Sequence, residues 1–157
     1  MSLVTLAEAK LHLRVDGIDE DALIGVYIAA AEQSAIALLD RGVYADGTAL
    51  GVARAAAPAE LTAATVTYTE AIAAAQALTD ATEQAAATQA AEYAYLRAQV
   101  AYRQAMDGIV VNDTIKSAVL LIVGHLYAHR EDVVAGVSVA KLPNGAEWLL
   151  APYKVYA

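Results

Sequence analysis

His125 and His129 lie four residues apart. On a helix that spacing puts both imidazoles on one face, where two of them can ligate a metal ion. The zinc-protease form of the pattern needs a glutamate directly after the first histidine, and Leu126 stands there instead. No third ligand is evident, so the pair reads as one histidine at the edge of a core and one on the surface. Asp16, Asp19, Glu20 and Asp21 form an acidic run. A calcium loop needs acids at alternate positions, a central glycine and a glutamate in twelfth place. Gly17 falls second, the spacing fails, and the acids read as helix-capping charge. Asn112-Asp113-Thr114 spells a glycosylation acceptor but also makes a good helix cap, and the cap is the reading preferred. Glu131 and Asp132 read as solvated charge. The sequence holds no phosphate-binding glycine loop, no nucleophile elbow and no cysteine. The expectation is a protein with no catalytic residues, no metal centre and no cofactor.

The elements that would carry these residues are helices. The chain has 157 residues, enough for one domain with its own core. Hydrophobic residues make up 59%, but much of that is alanine, which favours helix while burying little area. Eighteen acidic residues stand against ten basic ones, a net charge of −8. Such a surface is repelled by phosphate, so sequence-specific duplex binding is not expected. The N-terminal "MSLVTLAEAKLHLRV" is amphipathic and unlike a leader, and the apolar run from Ala118 is too short for a bilayer. The expectation is a soluble protein with no membrane partner.

Thr5 and Glu8 have capping-box spacing, which starts a first helix that ends near Leu13, with Leu6, Ala9 and Leu13 as its apolar face. Asp19, Glu20 and Asp21 open a second helix, whose face is Leu23, Ile24, Tyr27, Ile28, Ala31, Ala35, Leu38 and Leu39. Arg41 and Gly42 close it. Residues 45–108 are rich in Ala, Thr, Gln and Glu. Pro58 can open a helix as its first residue. Leu61, Tyr68, Ile72 and Ala75 make one narrow stripe; Tyr93, Leu96 and Val100 make another. The polar stretch from Thr79 to Thr82 separates them. The reading is a long helical hairpin with a thin seam, ending at Asp107-Gly108, with one long helix or a partly disordered segment as the alternatives. A further helix starts at Asn112 or Asp113 and is apolar almost all round, as the most buried helix of a small domain would be. Gly124 would let a neighbour approach it closely. "VVAGVSVAKL" alternates like a strand or an extended loop. Pro143-Asn144-Gly145 makes a turn or starts a short helix carrying Trp148, Leu149 and Leu150, which Pro152 ends.

Nine tyrosines and no phenylalanine suggest surfaces that bury area yet still hydrogen-bond. Tyr68, Tyr93, Tyr95 and Tyr102 fall in the hairpin, either as interface residues or as thickening of its seam. Trp148, Leu149, Leu150, Tyr153, Val155 and Tyr156, with Lys154 among them, make an apolar C-terminal cluster. A terminus is normally polar unless it is docked. It would dock on its own domain or, the reading preferred, on a neighbouring subunit.

Three blocks, in order, carry a family resemblance: "TLAEAKLHLRVDGIDEDALIGVYIAAAEQSAIALL", "IKSAVLLIVGHLYAHREDVV" and "LPNGAEWLLAPYKVY". Together they span residues 3–44 and about 109–157. They resemble the head–tail connector, or adaptor, family of long-tailed bacteriophages and prophages. The resemblance implies an all-α fold, a small helical bundle with a short extended C-terminal tail. It makes 1–157 a single connector domain, with a core of 1–44 and 109–157 and an alanine-rich helical insertion at 45–108. It implies a virion protein of the neck, assembled in the host cytoplasm. Its copies, twelve to match the portal, would form a ring joining the portal to the stopper or tail-completion protein. DNA would pass through without specific binding. In such families the C-terminal segment engages the portal, which maps here onto Trp148 to Tyr156. A helical binding module of another phage or bacterial assembly, such as a DNA-packaging factor, is the alternative.

Overall fold

The computed structural model describes residues 2–129 and 145–155. The element order is α1 (Leu6–Leu13), α2 (Asp21–Leu39), β1 (Val43–Tyr44), α3 (Gly47–Gln76), α4 (Ala81–Met106), β2 (Ile109–Val110), α5 (Asp113–Ala128), α6 (Ala146–Leu150) and a 3-10 turn (Ala151–Tyr153). Among the described residues the protein is all-α apart from one short strand pair. The alternating segment at 133–142, Pro143, Asn144 and the Glu131–Asp132 pair lie outside the described residues.

The chain divides into two compact units, 1–46 with 109–157 and 47–108. The core of the first is built by α2 and α5. Ile24, Ile28, Ala31, Ala35 and Leu39 of α2 meet Ile115, Ala118, Val119 and Val123 of α5, joined by Val4, Ala9 and Leu150. This is the face expected from helical periodicity. Burying each large apolar side chain contributes about 1.5–3 kcal/mol. By length and composition α2 meets the requirement for a membrane span, but here its large residues face α5. Its outward positions, Ala22, Val26, Ala29, Ala30 and Ala37 among them, are mostly small.

Local chemistry sets the helix ends. The capping box forms: the Thr5 hydroxyl accepts from the Glu8 amide at 3.2 Å, and the Glu8 carboxylate accepts from the Thr5 amide at 2.7 Å. Asn112 accepts from the Ile115 amide at 2.9 Å to start α5. Arg14 and Asp40 take left-handed φ values of 58° and 50° to end α1 and α2. Glu20 sits at the cap position without a side-chain cap bond. Its carboxylate accepts from the Tyr127 hydroxyl of α5, and Asp21 pairs with Lys10 of α1 at 2.6 Å. The two acids stand at the start of α2 as expected, and there they also tie helices together. Gly124 admits α1, since a β-carbon there would lie 3.2 Å from Nε2 of His12.

Lys116 of α5 reaches Glu8 at 2.8 Å. That hydrogen bond, followed by those from the Thr5 amide and hydroxyl, lowers the Glu8 pKa from 4.5 to about 2. A depressed carboxylate stabilises the fold above its unfolded value, and that contribution is lost as pH falls through the folded value. Glu8→Gln is therefore expected to lower the Tm at pH 7. The gap to the parent should close as pH drops from 4.5 towards 2, as read by circular dichroism melts. A gap that stays constant with pH would refute the linkage.

β1 and β2 pair in parallel, Val43 with Ile109 and Tyr44 with Val110. The Ile109 amide donates to Gly42 at 2.9 Å and the Val111 amide to Tyr44 at 2.8 Å. Sequence periodicity gave no sign of this pair.

The second unit is the expected hairpin, with α3 and α4 joined through 77–80. Asp80 caps α4 by accepting from the Thr82 and Glu83 amides at 2.8 and 2.9 Å. Pro58 does not open α3; it lies inside a helix that already starts at Gly47. Proline forfeits one backbone hydrogen bond in a helix interior. Here it is exposed, so water can reach the backbone it leaves unpaired. The seam also differs from expectation on α4. Leu61, Tyr68, Ile72 and Ala75 do line α3, but α4 turns Ala87, Ala91, Tyr95, Ala98 and Tyr102 inward. Tyr93 and Leu96 are exposed. Ala87, Ala91 and Ala98 let the backbones pack closely, and the larger Tyr95 and Tyr102 fill the seam between them.

Candidate functional site

The C-terminal cluster starts at Gly145, the cap of α6. Leu150 is fully buried, at 0% exposure, in the α2–α5 core. Leu149 and Tyr153 pack against the same core. α6 ends at Leu150, just before Pro152, which sits in the first turn of the following 3-10 segment, where a missing N–H costs nothing. The segment then runs back to the end of α2. The Val155 amide donates to the Leu39 carbonyl at 3.0 Å, and Arg41 donates to the Tyr153 carbonyl at 3.2 Å. Leu39 is the last residue of α2, and its carbonyl is one that a helix leaves without an intrahelical partner.

The described part of the cluster therefore docks on its own domain, through Leu149, Leu150 and Tyr153, rather than reaching out as an extended tail. Leu150 is not available as a contact residue. Trp148 is: it stands 60% exposed on a helix whose other apolar residues are anchored. Lys154 is exposed and Val155 half-buried. Tyr156 lies outside the described residues.

The hairpin tyrosines separate in the same way. Tyr68 and Tyr95 stack across the seam, with ring centroids 4.8 Å apart and planes 19° apart. Hydrogen bonds from Thr65 and then Gln99 hold the Tyr95 phenol below its ordinary pKa of 10. Tyr102 is half-buried. Tyr93 is 61% exposed, pointing away from the seam.

Glu32 was not singled out by sequence. One oxygen of its carboxylate accepts from the Ser2 hydroxyl at 2.6 Å, the Leu3 amide at 2.6 Å and the Val4 amide at 3.0 Å. It holds the N-terminal segment on α2, and no local pattern marks it. Leu11 and Ile18 are also strongly exposed. The signal for Leu11 was present, since it lies off the face made by Leu6, Ala9 and Leu13.

His125 and His129 are exposed, with ring centroids 4.8 Å apart. Among the described residues no group of three His, Cys, Asp or Glu side chains gathers around them or elsewhere.

No curated protein and no solved structure matches the chain. A family model does, over residues 3–78. The match runs through α1, α2 and α3, past the point at which the first block of the resemblance stops. It does not extend to the two later blocks. Head–tail connectors are structural proteins of the phage neck, in keeping with a chain whose described residues are mostly helical. Residues 3–78, just under half of the chain, match the family described as Phage gp6-like head-tail connector protein.

Proposed function

We propose that copies of this chain form a closed ring around the DNA channel, joining the portal to the stopper or tail-completion protein, with twelve copies to match the portal. The family match carries this reading. Trp148 supports it: an exposed tryptophan on a docked helix is the kind of rigid anchor that fills a pocket on a partner. The net charge of −8 also supports it, because an acidic lining lets DNA pass without adhering and argues against a packaging factor that grips DNA.

Native mass spectrometry of the protein alone, then mixed with its portal, tests the proposal. The expected result is a ring bound to the portal with matched copy number. Trp148→Ala is expected to weaken portal binding at least tenfold while leaving the melting temperature nearly unchanged. A monomer that ignores the portal would sink the reading.

A further inference from the structure

The two compact units differ in how much apolar surface each buries within itself. In 47–108 the buried side chains are Ala57, Ala75 and Ala91. Leu61, Tyr68, Ile72, Tyr95, Val100 and Tyr102 are only half-buried. Across the seam Tyr68 stacks on Tyr95, and Tyr95 shares a hydrogen bond with Thr65. In the other unit Ile24, Leu39, Ile115, Val119, Val123 and Leu150 have no exposure at all. Helices in proteins owe most of their stability to the packing of one face. Segments with little buried apolar area open at a lower free energy than the core does. An alanine methyl contributes little burial, so two long helices here rest on a weak seam.

The ends of the hairpin are held by residues of the better-packed unit. The Ile109 amide donates to Gly42 and the Val111 amide to Tyr44. Val43, Ile109 and Val111 pack against the α2–α5 core, so this clasp draws its stability from that core. Among the described residues, none from 47–108 takes part in the core. Melting the hairpin therefore removes nothing from the α2–α5 packing. The clasp meanwhile keeps positions 44 and 109 side by side, and the entropy of bringing them together is not lost again when the hairpin re-forms.

We infer that the hairpin opens as a unit of its own: in the free chain α3 and α4 melt and re-form while α2 and α5 stay packed and the β1–β2 pair holds both ends in place. The inference stands on burial within each unit and does not depend on the ring reading. Such an arm can be ordered by a partner, or left open, without disturbing the core.

Hydrogen exchange of the full-length protein alone tests this. Amides in the middle of helices are compared, at 64–75 and 87–98 against 28–35 and 118–123, so that fraying ends do not enter. The hairpin amides are expected to be protected about a hundredfold less than the core amides. Circular dichroism is the poorer probe, because alanine-rich segments keep part of their helicity once opened. Two variants separate the units. Tyr95→Ala removes the stack and should lower hairpin protection by about a further tenfold, leaving the core amides as they were. Ile115→Val trims the core mildly and should lower α2–α5 protection about fivefold, leaving the hairpin amides as they were. Equal protection in the two units, or greater protection in the hairpin, overturns the inference. Variants that shift both sets of amides together overturn it too, in favour of one cooperative fold.

Discussion

Leu150→Ala is expected to lower the unfolding free energy by roughly 2–5 kcal/mol, as truncation of a fully buried leucine does. Leu150 has no exposure and sits among α2 and α5 side chains. Removing it leaves a cavity and also frees the segment that returns to α2 through Val155 and Leu39. Urea unfolding followed by circular dichroism measures the loss. Trp148→Ala, two positions away, should change the same curve by no more than about 0.5 kcal/mol, since exposed sites seldom matter more. If the two variants prove equally stable, the segment is not anchored as described. The contrast separates the residue that holds the segment from the one it presents.

Glu32→Ala is the second large effect. A hydrogen bond to a charged group contributes about 1.5–3 kcal/mol, and a buried donor stripped of its partner costs about 1–3 kcal/mol. Glu32 serves three donors, two of them backbone amides of the buried residues Leu3 and Val4. Because water can reach some of these groups once the carboxylate is gone, the expected net loss is about 2–3 kcal/mol rather than the sum. Hydrogen exchange should show the Leu3 and Val4 amides losing protection before the α2–α5 core does. Glu32→Gln keeps one acceptor oxygen and should retain part of the stability. Equal exchange in Glu32→Ala and the parent would remove the clamp from the description.

Features encoded within a few residues were legible in the sequence. The Thr5–Glu8 box, the Asn112 cap and the α2 stripe from Ile24 to Leu39 each depend on spacing along one helix, and each stands where it was expected. Features that need a distant partner were not. Glu32 serves amides nearly thirty positions upstream. Glu20 stands at the helix start as its charge suggests, but its hydrogen-bond partner Tyr127 lies on α5, more than a hundred positions away. The β1–β2 pair consists of two residues on each side, too short to carry a period. On α4, side-chain size is a poor guide: Tyr93 and Leu96 stay outside, while Ala87, Ala91 and Ala98 share the seam with Tyr95 and Tyr102. At the C-terminus the apolar cluster was legible as a docked segment, but which side chains face in and which face out is set by the fold of α6.

The parallel pairing of Val43 with Ile109 has a topological consequence. The chain departs at Tyr44 and returns beside it at Ile109, heading the same way. Whatever is strung between those points adds little to the entropy of closing the loop, since doubling a flexible loop costs only about 0.6 kcal/mol. A segment that folds on itself, as α3 and α4 do, shortens the effective span further. Positions 44 and 109 thus form a splice junction at which an arm of another length can be exchanged while the α2–α5 packing stays as it is.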